Sequence, residues 1–245
     1  IEGVPRDTKL LLEFMKNFGT PMRKINAVDT SIMSYIGDIR VRLDILDGER
    51  MPTQSFGKVD LHTARSYAKH RPRIFAMFKH DEGFSNAEGE SLFLSWDDFI
   101  YNYKKSYGKQ GIKDINVISN TNVRAILDSY SEYYTEDKIG YEPLIKKDAK
   151  GGYFVRYWVK MKKSIQEAYR KNKFPIDILF VEVINRFDDA INHYHSIYKI
   201  PLRQGELVIM DNRKFAHGRL PFRGYKETKF GLVTSTRQIY NFHLE

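Results

Sequence analysis

The sequence predicts a mainly β chain with flanking helices, an α+β fold in which helices pack around a β core. Runs rich in β-branched and aromatic residues gather toward the C-terminus, above all Leu207-Val208-Ile209-Met210 and Phe230 to Tyr240. Apolar stripes at helical spacing lie apart from these runs. No repeat, low-complexity tract or linker divides the chain, so residues 1–245 are read as a single domain with helical insertions.

The elements follow in order. Asp7 or Thr8 can cap a first helix, in which Leu10, Leu11, Phe14, Met15 and Phe18 recur before Gly19 stops it. Gly57 to His62 and Arg73 to Phe78 are expected to be extended, with His62 close to a strand end. Ser95 caps a helix through Trp96, Phe99, Ile100 and Tyr103. The stretch from Tyr107 to Lys150 is mixed and gives no clear order. The plainest helix is expected from Pro175 to about Tyr198. Phe180, Val183, Ile184, Phe187, Ile191, Tyr194 and Ile197 form its stripe, with Asn185, Asp188, Asp189 and Asn192 facing away. His193 and His195, two apart on that helix, point in different directions and are expected at the surface or the helix end.

Composition narrows the function classes. The chain is 42% apolar and 14% aromatic, which excludes a disordered chain. No run approaches the roughly 18 apolar residues of a membrane span, and Ile1 to Arg6 has no signal-peptide core. A chain opening on Ile1 is expected to be a trimmed or partial one. Cysteine is absent, which excludes disulfides, thiolate metal sites and cysteine nucleophiles and fits a cytoplasmic protein. The net charge of +9 is scattered over Lys104-Lys105, Lys146-Lys147, Lys160 to Lys163 and Arg170 to Lys173, between acidic residues. With no nucleic-acid motif beside it, that charge reads as a solvated surface that helps draw in an anionic substrate.

Gly205 to Phe222, GELVIMDNRKFAHGRLPF, is the most informative segment. A turn glycine opens a buried strand, a polar turn follows, and His217 emerges beside Gly218 at the mouth of a β-structure. Taken alone, His217 is read as a structural histidine ahead of a ligand. Upstream stand LHTARSY from Leu61, RPRIFAM from Arg71 and GESLFLS from Gly89. In this order the segments resemble the clavaminate synthase-like and taurine dioxygenase-like branch of the iron(II)/2-oxoglutarate-dependent oxygenases. The likeness covers about residues 56–99 and 203–237.

The resemblance implies a double-stranded β-helix, or jelly roll, with iron(II), 2-oxoglutarate and dioxygen as cofactor and cosubstrates. Such iron takes two imidazoles and a carboxylate on one face, and a His-x-carboxylate pair on a strand can grip it. By position, His62 is the first histidine and His217 the distal one. Ser91 matches a hydroxyl on the distal carboxylate of 2-oxoglutarate. For the cation that anchors this carboxylate, Lys229, twelve residues past His217, is the first choice and Arg237 the alternative. Arg65, Glu90 and Arg219 are candidates for contact with a small, amino-acid-like substrate. No membrane partner is implied, nucleic acid is the minority reading, and oligomeric state is not legible.

The sequence departs from the family at Ala64, where the carboxylate is expected. Three readings follow. A halide occupies the vacated position beside Ala64, as in the halogenases of this superfamily, with chloride as an added requirement. Alternatively, another acid moves in, Asp60 first and then Asp81 or Glu82 beside His80, and the enzyme stays a hydroxylase or desaturase. Thirdly, the site is inactive and the domain only binds. The first leads. A zinc hydrolase is set aside because no third ligand or HExxH spacing accompanies the histidines.

Overall fold

The computed structural model describes residues 1–24, 31–41, 52–83, 88–124, 140–158, 160–171, 176–234 and 237–245. Helix α1 (Thr8–Met15) starts at Asp7, whose carboxylate accepts from the backbone N–H groups of Lys9 and Leu10. Strands β1 (Ile36–Arg40), β2 (Val59–His62), β3 (Ile74–Asp81) and β4 (Ser91–Ser95) follow. The long helix α2 (Trp96–Asn120) is capped by Ser95 and kinked at Gly108, whose φ of 55° no helix interior allows. Three-residue strands β5 (Asn122–Arg124), β6 (Tyr141–Pro143), β7 (Ile145–Lys147) and β8 (Tyr153–Val155) lead to helices α3 (Met161–Arg170) and α4 (Ile178–Asn192). The chain ends in β9 (Tyr198–Ile200), β10 (Leu207–Asp211), β11 (Phe215–Arg219), β12 (Tyr225–Thr228), β13 (Gly231–Thr234) and β14 (Gln238–Leu244).

Eight of these strands make two antiparallel sheets, ordered β1-β14-β3-β10 and β2-β11-β4-β9. Apart from β4 and β9, which pair within one sheet, successive strands of the eight alternate between the sheets, the winding of a jelly roll. The fold is mainly β with flanking helices, as the sequence implies.

Period-two alternation sorts the side chains into three apolar clusters. On β3, Ala76 and Phe78 face outward with Leu11, Leu12 and Met15 of α1, while Phe75 and Met77 face the interior between the sheets. On β4, Leu92 and Leu94 pack outward against Trp96, Phe99 and Ile100 of α2 and Phe180, Val183 and Phe187 of α4, while Phe93 faces inward. The interior is therefore lined by alternate residues of both sheets, and its composition is set independently of the outer packing.

Two sequence expectations are corrected. The helix expected from Pro175 to Tyr198 covers Ile178–Asn192, with His193 at its C-cap; Pro175 itself lies outside the described residues. Tyr194 and Ile197 still pack on the helical cluster, so the apolar period runs on after the helix ends. Tyr198 to Ile200 instead pair with β4 as an edge strand, a place that suits aromatic and β-branched residues. The run from Phe230 to Tyr240 is also split, between the β12–β13 hairpin and β14. Among the described residues no helix is long and apolar enough to cross a membrane.

Asp114 ties α2 to α4. It is fully buried and accepts from the Tyr103 hydroxyl at 2.8 Å, Gln110 at 2.7 Å and the Arg186 guanidinium at 2.8 and 3.1 Å. Those donors hold its carboxyl below the usual range against the opposing pull of burial. Asp114→Ala would leave the buried Tyr103 hydroxyl and the partly exposed Arg186 guanidinium without their shared acceptor. We expect a loss of about 2 kcal/mol in urea unfolding; a loss under 1 kcal/mol would show that water replaces the carboxylate.

Candidate active site

Strand β11 lies between β2 and β4, so His217 stands opposite His62 on one side and Phe93 on the other. The two imidazole centroids are 4.3 Å apart. Gly218 makes this closeness possible: a Cβ there would sit 2.6 Å from the Val59 carbonyl oxygen. His62 Nδ1 lies 2.9 Å from the Asp60 carbonyl oxygen. A carbonyl can only accept, so Nδ1 carries the proton and the Nε2 lone pair is left for a metal. His217 is buried and stacks on Phe75 at 4.1 Å, and among the described residues its Nδ1 has no hydrogen-bond partner.

Burial lowers the pKa of both histidines, and for His217 the neighbouring His62 and His243 lower it further. Both imidazoles are neutral near pH 7, the form that binds a divalent metal.

The backbone after His62 is held from two sides. Ala64 N–H donates to Asn212 Oδ1 at 2.7 Å, and Asn212 Nδ2 donates to the carbonyls of Ala64 at 3.0 Å and Pro72 at 3.1 Å. Thr63 N–H donates to the Tyr157 carbonyl at 2.7 Å, Tyr157 N–H donates to Thr63 Oγ1 at 3.0 Å, and the Tyr157 hydroxyl donates to Asp188 of α4 at 2.5 Å. Helix α4 is thereby linked to the residue next to His62. Ala64 is buried with Phe75, Met77 and Phe93.

The carboxylates proposed as substitutes point elsewhere. Asp60 pairs with Lys58 at 2.9 Å, with 58% of its side chain exposed. Asp81 accepts from Gly83 N–H at 2.9 Å. Among the described residues, no group of three His, Asp or Glu side chains could hold a metal.

A cationic end adjoins the histidines. Arg219, two residues past His217 on the same strand face, lies opposite Ser91, and both are buried. Its Nη2 donates to the carbonyls of Ser55 and Gly57, each at 2.7 Å. Arg237 is also buried and donates to the Gly89 carbonyl at 3.0 Å. Each guanidinium lies 4.7 Å from the Phe222 ring centroid.

Other candidates fall outside this group. Lys229 is exposed in the turn of the β12–β13 hairpin, with its Nζ 5.0 Å from the Phe230 ring centroid. Of the two cations considered for the cosubstrate, the fold therefore buries Arg237 and leaves Lys229 outside. Arg65 takes a left-handed backbone conformation, φ 51°, and donates to the Arg23 carbonyl at 2.6 Å. Glu90 is half-buried, and its carbonyl accepts from Leu220 N–H at 3.0 Å.

Sequence reasoning missed Lys79, Asn212 and His243. Lys79 is buried on β3, in alternation with the interior residues Phe75 and Met77, and that period was its only signal. Asn212 stood inside the GELVIMDNR segment without an assigned role. His243 stands opposite Phe75 in the β14–β3 register, a pairing that no local pattern announces.

The strands thus place two neutral imidazoles and a buried cationic end on one inner face of a jelly roll. Residues 1–232 match the family described as taurine catabolism dioxygenase TauD, TfdA family, and the chain belongs to that family. Among curated proteins, none matches the chain in sequence.

Similar solved structures include the non-haem iron oxygenase OrfP in complex with Fe and alpha-ketoglutaric acid. Its TM-score is 0.65 at 14% identity, over 96% of this chain and 63% of that one. PvcB from Pseudomonas aeruginosa has a TM-score of 0.57 at 14% identity, over 98% of this chain and 71% of its own. An asparagine oxygenase in complex with Fe(II), 2S,3S-3-hydroxyasparagine and succinate has a TM-score of 0.59 at 12% identity, over 99% and 72%. At these identities the likeness concerns the fold. The chain spans just under two thirds of the length of OrfP.

Asn212 touches neither histidine, yet it fixes the peptide two residues after His62. Asn212→Ala is expected to weaken metal binding by about 10- to 100-fold, as read by competition for iron(II) against a coloured chelator. Unchanged affinity would mean that Thr63 and Tyr157 hold the segment unaided.

Proposed function

We propose that the chain is an iron(II)/2-oxoglutarate-dependent halogenase that chlorinates an unactivated C–H bond of a small, amino-acid-like substrate. The observation that carries this reading is Ala64. It is buried at the position where the family places its metal-binding acid, and the nearest substitute, Asp60, is taken by Lys58.

The residues fit the groups this chemistry needs. Neutral His62 and His217 would hold iron(II), the first through Nε2, because its Nδ1 is bound to the Asp60 carbonyl. Arg237, with Ser91 beside Arg219, would hold the distal carboxylate of 2-oxoglutarate. Residues two apart on a strand lie about 6.6 Å apart, so the step from His217 to Arg219 matches the reach of a five-carbon diacid. Iron with 2-oxoglutarate and dioxygen supplies an oxidant able to take hydrogen from an unactivated C–H bond, and a halide beside it supplies the replacing atom. The small methyl of Ala64 leaves room for that halide, whose charge stands in for the lost carboxylate. Phe75, Met77 and Phe93 keep water from the interior.

A hydroxylase reading rests on the asparagine oxygenase, whose structure contains a hydroxylated amino acid. It needs a carboxylate other than Asp60 or Asp81 to take the place left by Ala64. The amino-acid-like substrate draws on the same neighbours, including OrfP in complex with (3S)-hydroxy-L-Arg.

Anaerobic titration with iron(II) and 2-oxoglutarate, followed by visible spectroscopy, separates the readings. We expect a weak charge-transfer band that needs both components and shifts with chloride, and a chloride-indifferent band in Ala64→Asp. A wild-type band indifferent to chloride would favour the hydroxylase. No band and no iron uptake would sink both and leave a binding domain. In the same assay Arg237→Met is expected to weaken 2-oxoglutarate binding by about 100-fold, whereas Lys229→Met leaves it unchanged; the reverse result would restore Lys229 as the anchor.

A further inference from the structure

The interior carries a cation that the proposed chemistry has not used. Lys79 is 3% exposed, and few lysines are buried without a specific partner. It follows Phe75 and Met77 on the interior face of β3, and stands opposite Ile239 of β14, another interior residue. Arg237 lies two residues before Ile239, past a register shift that draws β14 toward the end of β3. The β3–β14 pair thus brings an ammonium and a guanidinium to one end of the interior, and Arg219 reaches the same end from the opposite sheet.

The anions available to these cations are few. Among the described residues, Lys79 and Arg219 make no ion pair, and Arg219 spends its Nη2 on two carbonyls. Asp81 and Glu82, at the end of β3, act on Lys79 only through longer-range attraction, and the Asp81 carboxylate is engaged by Gly83 N–H.

We propose that Lys79 is a cosubstrate-binding residue, its ammonium pairing with the distal carboxylate of 2-oxoglutarate from β3 while Arg237 holds it from β14. The inference rests on the reading of the site as a 2-oxoglutarate site. The carboxylate is then clamped between neighbouring strands of one sheet, by a planar fork on one side and a point charge on the other.

This arrangement has a pH signature. Burial, and then the nearby Arg237, push the Lys79 ammonium down to about 8, with Glu82 and Asp81 opposing and Arg219 adding to the effect. Burial lowers Arg219 to about 9 and Arg237 to about 10, so both guanidiniums hold their charge after Lys79 has begun to lose its own. His62 and His217 are already neutral above pH 7. As pH rises through 8, the free protein loses the Lys79 charge and with it part of its hold on the diacid.

The test is calorimetric titration of the full chain with 2-oxoglutarate, anaerobically with iron(II), from about pH 7 to pH 9. The wild-type dissociation constant is expected to rise by about tenfold over that range. Lys79→Met should bind about tenfold more weakly at pH 7 and lose the pH dependence. Lys79→Arg, always charged, should keep the affinity and be flat with pH. Near-UV circular dichroism checks that the variants are folded, and the wild-type profile stands even if they are not. A flat wild-type profile, or Lys79→Met binding like the wild type, would overturn the role of Lys79 and leave the 2-oxoglutarate site standing. No 2-oxoglutarate binding by the wild type would overturn both.

Discussion

The position of β11 between β2 and β4 is the constraint on which the site depends. It sets His217 directly opposite His62 and places Arg219 opposite Ser91, so β11 carries both one imidazole of the pair and a cation of the buried end. The pairing holds only because residue 218 lacks a side chain; any Cβ would meet the Val59 carbonyl. The register shift between β11 and β2 falls at the same point, between His217 and Arg219. A bulge there lets the histidines meet while the strand turns away past them. The closeness of the two imidazoles thus follows from backbone sterics.

The outer layers hold the inner face in place without entering it. Helix α2 packs on Leu92 and Leu94, and α1 packs on Ala76 and Phe78, while their strand neighbours point inward. The helical layer has one further reach, through Asp188, Tyr157 and Thr63 to the residue after His62. The Asp188 carboxyl is raised by its burial despite the Tyr157 hydroxyl, and burial raises the Tyr157 phenol as well. Such a buried bond is costly to break, since either group would be left in a low dielectric without its partner. The loop after β2 is therefore fixed from the helical side by Tyr157 and from the sheet side by Asn212.

What the sequence made legible was local. The capping residues Asp7 and Ser95, the apolar stripe of α4 and the strand before His217 were all readable from spacing. The histidine pair and Arg237 came through the family resemblance, and the fold brings both histidines together and buries Arg237. The sequence could not show which cation is buried. Lys229 had the expected separation from His217, but a hairpin between β11 and β14 carries it outward. Lys79 and His243 were invisible for a related reason: each acquires its meaning from a register across β3 and β14, separated by more than 150 residues of chain. The end of α4 was missed because its apolar period outlasts its hydrogen bonding.

The charge on the inner face bears on the missing carboxylate. In the usual arrangement a protein acid cancels part of the iron charge, and the cosubstrate dianion meets a single anchoring cation. On the proposed reading Ala64 stands in place of that acid, while Lys79 adds a positive charge to Arg219 and Arg237. A divalent metal among these groups would face a strong excess of positive charge in a medium that screens poorly. Among the described residues, Asp60 pairs with Lys58 at the surface and Asp81 is engaged in a turn. Anions from solution are a further source. On the proposed reading these are the diacid at the cationic end and a halide beside Ala64, and each reduces the charge that opposes binding of the metal. On that reading, the same electrostatics that would favour a halide at the iron would favour a second cation at the far end of the cosubstrate. Substituting Ala64 by an acid would change both ends of the site together.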